Sequence, residues 1–192
     1  ADAMLNVGLC YANGQGVTQD LTKAFDWYLK SANKGNSDAT YNVGVCYSKG
    51  EGVTQDFTKA YEWFLKSANN GCSLAMFAVG NCYCNGQGVT QDFTKAFEWC
   101  LKSANNGNAG AMYNVGVCYS KGEGVAQDFT KAYEWYLKSA NNGDAYAMYN
   151  VGWCYAKGEG VTQDFTKAFE WFLKSAENGN TGAMRSVADC YD

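Results

Sequence analysis

The sequence predicts an all-α solenoid, one domain over residues 1–192 built from stacked 36-residue helix-turn-helix repeats. Sliding the chain against itself by 36 superimposes Gly8, Gly44, Gly80, Gly116 and Gly152, and likewise Trp27, Trp63, Trp99, Trp135 and Trp171. A fixed period of this size is the signature of stacked supersecondary units. Composition agrees: Pro is absent and Gly numbers 22, as expected of many short helices that each stop at glycine. Full units run over 1–36, 37–72, 73–108, 109–144 and 145–180, with a partial sixth at 181–192. Positions are counted from the first residue of each unit.

Positions 1–13 read as helix A, stopped by Gly14 and Gly16 and their counterparts. A loop of four to six residues follows. Asp20, Asp56, Asp92, Asp128 and Asp164 then stand where a carboxylate accepts orphan backbone N–H bonds and opens helix B, which Gly35 and its equivalents close. Asn36, Asn108, Asp144 and Asn180 cap the next helix A, whereas Cys72 makes a weak junction. Glu62 and Lys66, and their equivalents through Glu170 and Lys174, have the spacing of a solvated helix face.

At about 100° per residue, helix A gathers positions 3, 4, 7, 8, 10 and 11 on one side, mostly Ala, Met, Val, Gly, Cys and Tyr. That side is expected to pack, with Gly8 and its counterparts admitting a neighbouring backbone. Position 8 of the partial unit is Ala188. Helix B carries apolar residues too broadly for one stripe (Ala24, Phe25, Trp27, Tyr28, Leu29, Ala32), so it is expected between neighbours. The partial unit fits a closing helix A, with Arg185, Ser186, Asp189 and Asp192 on its outer side.

Charge and residue types exclude several functions. Nineteen acids oppose fifteen bases, of which Arg185 is the sole arginine, so no basic stripe awaits nucleic acid. No apolar run reaches the ~20 residues of a membrane span. Histidine is absent, removing the commonest general base and activator of a nucleophile. The Gly-x-Gly-Val turns follow a helix and lack the ending of a nucleotide loop. No enzymatic activity and no cofactor are expected.

The other half of helix A, positions 2, 5, 6, 9, 12 and 13, is expected to leave the core of its own unit. Position 5 reads Leu5, Tyr41, Phe77, Tyr113, Tyr149, and position 6 reads Asn6, Asn42, Ala78, Asn114, Asn150. Stacking would make two ladders, one aromatic and one of carboxamides able to bond a peptide backbone. Alternatively, both positions serve the packing of the array. Position 9 varies most (Leu9, Val45, Asn81, Val117, Trp153, Asp189), which makes it a place for specificity and Trp153 a hot-spot candidate. The alternative for Trp153 is an aromatic that fills a gap.

Cys10, Cys46, Cys82, Cys118, Cys154 and Cys190 recur at position 10. Packed helices ~8–10 Å apart hold such thiols beyond disulfide reach, so they are expected to act as small apolar groups. Cys72, Cys82, Cys84 and Cys100 invite a zinc reading, but Cys82 and Cys84 diverge on a helix and Cys100 replaces a core aromatic. No metal is expected.

The run Ala-x-x-x-Asn-Val-Gly-x-Cys-Tyr-x-x-Gly-x-Gly-Val-x-Gln-Asp-x-x-Lys-Ala-x-x-Trp-x-Leu-Lys-Ser-Ala-x-x-Gly resembles the Sel1-like repeat, a relative of the tetratricopeptide repeat, along the whole chain. The resemblance implies a right-handed superhelix with helices A on its concave face, and an adaptor or scaffold that binds a peptide or protein. Tyr41, Asn42, Phe77, Asn81, Tyr113, Asn114, Tyr149, Asn150 and Trp153 are then the candidate partner-binding residues. Family members usually have Ala where this chain has Ser31, Ser67, Ser103, Ser139 and Ser175, a change expected to leave packing intact. Tetratricopeptide relatives that grip a C-terminal carboxylate have bases where Phe77, Tyr146 and Asn150 stand, although Asn81 and Asn114 match their amides. Secreted members pair a cysteine at the end of helix B, where this chain has Ala32 and Ala68 through Ala176, so a reducing cytoplasm is expected, with secretion left open. The alternatives to a scaffold are a self-assembling structural protein, or the repeat segment of a larger signalling protein.

Overall fold

The structure, a computed structural model, describes residues 1–188, with side chains through 185. The expectations for Ser186, Ala188, Asp189, Cys190 and Asp192 lie outside the described side chains. Among the described residues the chain is all helix and turn. Helices A are α1 (Asp2–Asn13), α3 (Ser37–Lys49), α5 (Ser73–Asn85), α7 (Ala109–Lys121), α9 (Ala145–Lys157) and α11 (Thr181–Ala188). Helices B are α2 (Leu21–Ala32), α4 (Phe57–Asn69), α6 (Phe93–Asn105), α8 (Phe129–Asn141) and α10 (Phe165–Glu177). This is the α/α solenoid class expected.

Local chemistry fixes each boundary. At the end of α1, Gly14 turns left-handed (φ 68°) and its N–H bonds the Cys10 carbonyl. Gln19 Nε2 then donates to the Ala12 carbonyl at 2.8 Å, and Gln55, Gln91, Gln127 and Gln163 repeat the clamp at 2.7–2.8 Å. The connection takes residues 14–20, slightly longer than expected because both glycines lie within it. Asp20 Oδ1 accepts from the Lys23 N–H at 3.0 Å, as do Asp56, Asp92, Asp128 and Asp164 from theirs. Asn36 caps α3 through the Ala39 N–H at 2.7 Å. Cys72 makes no side-chain cap, as its chemistry predicts; its thiol faces Asp38 at 3.7 Å.

The expected face of helix A packs. Ala39, Ala75, Ala111 and Ala147, with Val43, Val79, Val115 and Val151, are fully buried. What crosses the position-8 glycine corrects the expectation, because it is a ring and not chiefly a backbone. A Cβ on Gly8 would meet Tyr28 carbons at 2.6 Å, and Gly44, Gly116 and Gly152 face Phe64, Tyr136 and Phe172 in the same way. The serines also do more than preserve packing. Ser31, Ser67, Ser139 and Ser175 are completely buried and donate at 2.6–2.8 Å to the first carbonyl of their own repeat, where an alanine would leave that acceptor without the bond. On helix B, the ammonium of Lys66 lies 4.7 Å over the Trp63 ring, and Lys30, Lys138 and Lys174 make the same contact, so the lysine of the presumed Glu-Lys face covers an indole.

Contacts divide the chain into two compact units, Ala1–Trp99 and Cys100–Asp192. In the first, α1 to α5 pack in sequence, each on the next, around Ala24, Val43, Phe64 and Val79. Successive repeats interlock through the second glycine of the turn: a Cβ on Gly52 or Gly88 would collide with the carbonyl of Leu21 or Phe57 in the preceding repeat. Tyr61 and Tyr83 add a hydroxyl pair at 2.9 Å between repeats two and three. In the second unit, α7 to α11 pack in sequence around Ala132, Tyr136, Met148 and Val151. There Gly160 seats against the Phe129 carbonyl, and Tyr133 and Tyr155 pair at 3.0 Å.

Cys46, Cys82 and Cys154 are buried, and burial pushes each thiol up to about 11. Such thiols stay protonated and unreactive near neutrality, in keeping with small apolar packing groups.

Candidate functional site

Each open groove lies between one repeat and the next, and its lining follows from the interlock. Positions 12, 21, 24 and 28 come from the leading repeat and positions 6, 9, 10 and 15 from the following one. Between repeats one and two these are Ala12, Leu21, Ala24, Tyr28, Asn42, Val45, Cys46 and Glu51, around about 80 Å³. Between repeats two and three, Ser48, Phe57, Ala60 and Phe64 face Ala78, Asn81, Cys82 and Gln87 around about 390 Å³, with Tyr41 and Asn85 also at the wall. Between repeats four and five, Ser120, Phe129, Ala132 and Tyr136 face Asn150, Trp153, Cys154 and Glu159 around about 330 Å³, with Tyr149 and Lys157 at the wall.

These grooves gather Tyr41, Asn42, Asn81, Tyr149, Asn150 and Trp153. Phe77, Tyr113 and Asn114 are half-buried and lie outside these three grooves. Position 5 differs from its expectation, because it meets the core of its own repeat. Tyr41 stacks on Phe64 at 5.6 Å, Tyr113 on Tyr136 at 5.9 Å and Tyr149 on Phe172 at 5.5 Å. The cause is the position-8 glycine: with no Cβ in the way, the position-28 ring lies flat across helix A and reaches the residue one turn earlier. Desolvation accordingly raises the pKa of Tyr41 and Tyr113.

Position 6 has polar partners within the array. Asn150 Nδ2 donates to the Tyr146 carbonyl at 2.9 Å, and the Asn150 side chain also bonds Tyr113. Trp153 fills a gap only in part. One edge packs against Tyr149 and Phe172 at 6.1 and 5.6 Å, yet 39% of the residue stays exposed over the groove.

Position 21 is the lining that sequence reasoning missed. Leu21, Phe57, Phe93 and Phe129 are each 37–39% exposed directly after the helix-B cap. The signal was present as a bulky apolar residue repeated where a first helical turn has no packing need for one. At the rim, Lys49 pairs with Glu51 at 3.6 Å and Lys157 with Glu159 at 3.9 Å, which leaves the grooves close to neutral.

With five hairpins and their repeated groove described, the Sel1 repeat model matches residues 1–36, 37–72, 73–108, 109–144 and 145–180. The chain belongs to the Sel1 repeat family. A Sel1 repeat protein from Oxalobacter formigenes is 35% identical over 99% of this chain and 78% of its own, with a TM-score of 0.95. A protective antigen of uropathogenic Escherichia coli strains, also displaying this fold, is 39% identical over 97% of this chain at a TM-score of 0.91. This chain covers 40% of that antigen's length. An immunity protein from Pseudomonas aeruginosa shares the fold at 22% identity and a TM-score of 0.65, over 95% of this chain and 66% of its own. No curated protein matches the chain. Sel1 repeat proteins are generally non-enzymatic scaffolds for protein interaction. Among the described residues no helix is long and apolar enough to cross a membrane.

Proposed function

We propose that this Sel1 repeat chain is a scaffold whose five repeats act as one domain and hold a peptide or protein segment on the concave helix-A face, in the grooves between repeats. The observation that carries this reading is the reuse of one set of lining positions in three grooves with a different residue at position 9 of each, Val45, Asn81 and Trp153. A surface shaped only for packing has no need to stay open over apolar rings at each recurrence. Asn81, Asn85 and Gln87 at one groove and Asn150 at another supply amides that both donate to and accept from a ligand backbone. The alanines at position 32 and the free cysteines among the described residues support a reducing compartment, the cytoplasm.

The test uses groove residues outside the core. Phe57→Ala, Phe129→Ala and Trp153→Ala should each lower capture of the proteins that the wild type retains from its native lysate, with the far-UV circular dichroism unchanged. Capture undiminished in all three variants rejects the grooves as the binding surface.

A second reading, self-association, is favoured by the near-identity of the repeated units. Light scattering decides it: a monomer mass that holds across a hundredfold concentration range (order of magnitude) excludes it.

A further inference from the structure

We propose that Asn70 is a site of spontaneous covalent modification, at which the side-chain amide is lost through a succinimide formed with Gly71. Four repeats place an Asn-Gly pair just after helix B: Asn70-Gly71, Asn106-Gly107, Asn142-Gly143 and Asn178-Gly179. A glycine after asparagine leaves the attacking nitrogen without a side chain to shield it. The nitrogen of Gly71 bonds to Cγ of Asn70, the Cγ–Nδ2 bond breaks, and Nδ2 departs as ammonia with the proton given up by the Gly71 N–H. Water then opens the ring at either carbonyl, which leaves aspartate or isoaspartate. Water is the only co-reactant, and no oxidant enters.

The backbone does not distinguish these pairs. Asn70, Asn142 and Asn178 have φ of −91°, −94° and −89° and ψ of 14°, 13° and 15°. The N–H of Gly71 bonds the Ala68 carbonyl at 3.0 Å, and Gly107, Gly143 and Gly179 make the same bond at 2.9–3.0 Å. Asn13 and Asn85 also precede glycine, but as the last residues of α1 and α5 they form a separate class. The side chains do differ. Nδ2 of Asn106, Asn142 and Asn178 donates to the carbonyls of Lys102, Lys138 and Lys174 at 2.8–2.9 Å. That bond points the carboxamide back along helix B, away from the glycine nitrogen that follows. Asn70 is exposed like the others, and among the described residues its side chain has no hydrogen-bond partner, so its Cγ is free to swing onto Gly71.

The cause lies at position 4 of the same repeat. Asn142 Nδ2 also reaches the Met112 sulfur at 3.7 Å, so the thioether backs the carboxamide in its bonded rotamer. Repeat five has methionine there too, Met148, but repeat two has Thr40. Thr40 is shorter, fully buried and turned to its own helix, its hydroxyl bonded to the Asn36 carbonyl at 2.7 Å. Conversion of Asn70 adds a carboxylate at the negative end of the α4 dipole, two residues before Cys72, which gives α5 no side-chain cap. The modification thus falls on the junction between repeats two and three.

The experiment incubates the full 192-residue chain in mildly alkaline buffer, folded and in urea, and follows amide loss at each asparagine by peptide mapping and mass spectrometry. Each folded rate is divided by its rate in urea, which removes the effect of flanking residues. On that scale Asn70 should react about fivefold faster than Asn142 and Asn178, the rate equivalent of one ordinary hydrogen bond. Thr40→Met should bring Asn70 down to their rate, and Met112→Thr should bring Asn142 up to that of Asn70. Should Thr40→Met lose its helical circular dichroism, Met112→Thr carries the same test in the opposite direction. Equal folded rates, or an excess at Asn70 that persists in urea, overturn the inference. So does a folded swap that leaves its asparagine unmoved.

Discussion

The groove between repeats two and three and the groove between repeats four and five are built on one frame and finished differently. Phe57, Ala60 and Phe64 in the first correspond to Phe129, Ala132 and Tyr136 in the second, and the glycines Gly88 and Gly160 seat against equivalent carbonyls. The walls diverge. Ala78 and Asn81 stand where the other groove has Asn150 and Trp153, while Asn85 and Gln87 stand where it has Lys157 and Glu159. Positions answerable to the adjoining repeat are held fixed, and positions answerable to the opening are free to change. Within one chain, then, a solenoid can offer several sites of unlike chemistry at no cost to its interlock.

The largest test of this comparison strikes the shared frame. Gly88→Ala and Gly160→Ala each place a methyl on a neighbouring carbonyl at a left-handed φ of 72–73°, and should destabilise by about 3 kcal/mol or more in urea unfolding. Gly16 has the same φ of 72° with open space around it, so Gly16→Ala should cost only about 1 kcal/mol. Equal losses at Gly16 and Gly160 would mean that the carbonyl seat does not hold repeats together.

Next in size are the buried hydroxyls. Ser67→Ala and Ser139→Ala should each cost about 1.5 kcal/mol by removing a buried hydroxyl bond to the carbonyls of Ser37 and Ala109, and by similar amounts, since both belong to the frame. Differential scanning calorimetry on the pair checks the match.

A smaller effect, of opposite sign, sharpens the contrast between ends of the repeat series. Asn36 Nδ2 donates to Asp2 at 2.8 Å, but the equivalent Asn180 Nδ2 is buried without a partner, and the residue equivalent to Asp2 is the exposed Tyr146. Tyr146→Asp should restore the bond and raise stability by about 1 kcal/mol, read as a higher urea midpoint.

The smallest effect is on pH. Backbone N–H bonds from Lys59 and Lys167 hold the Asp56 and Asp164 carboxyls below the usual value of 3.8. A folded-state pKa lowered in this way gives stability that is full above the unfolded value and lost as pH falls through the folded one. Asp56→Asn and Asp164→Asn should therefore each show a smaller drop in melting temperature than wild type between about pH 5 and pH 2. An unchanged drop would assign the acid sensitivity to other carboxylates.

The frame was more legible in the sequence than the site. Glycine stops, aspartate caps and the weak junction at Cys72 are local chemistry, decided within four residues and therefore readable from them. The packed face of helix A followed from period alone. Period does not say which neighbour a face meets, and position 5 shows the limit: it looks outward on a helical wheel, yet the ring lying over the position-8 glycine reaches it. The serine bonds were missed because their acceptors lie 30 residues away. Phe57 and Phe129 escaped notice for a different reason: the first turn of a helix is usually read for its caps.

The serine bond has one more consequence. It returns to the first residue of its own repeat, and the tyrosine pair that joins two repeats spans only 22 residues, so the ties within and between hairpins are short in sequence. Few contacts require distant parts of the chain to find each other first, which favours rapid folding from whichever hairpin forms earliest. Under tension from its termini, such a chain should yield as a series of small rips, one hairpin per event, with no single catastrophic rupture.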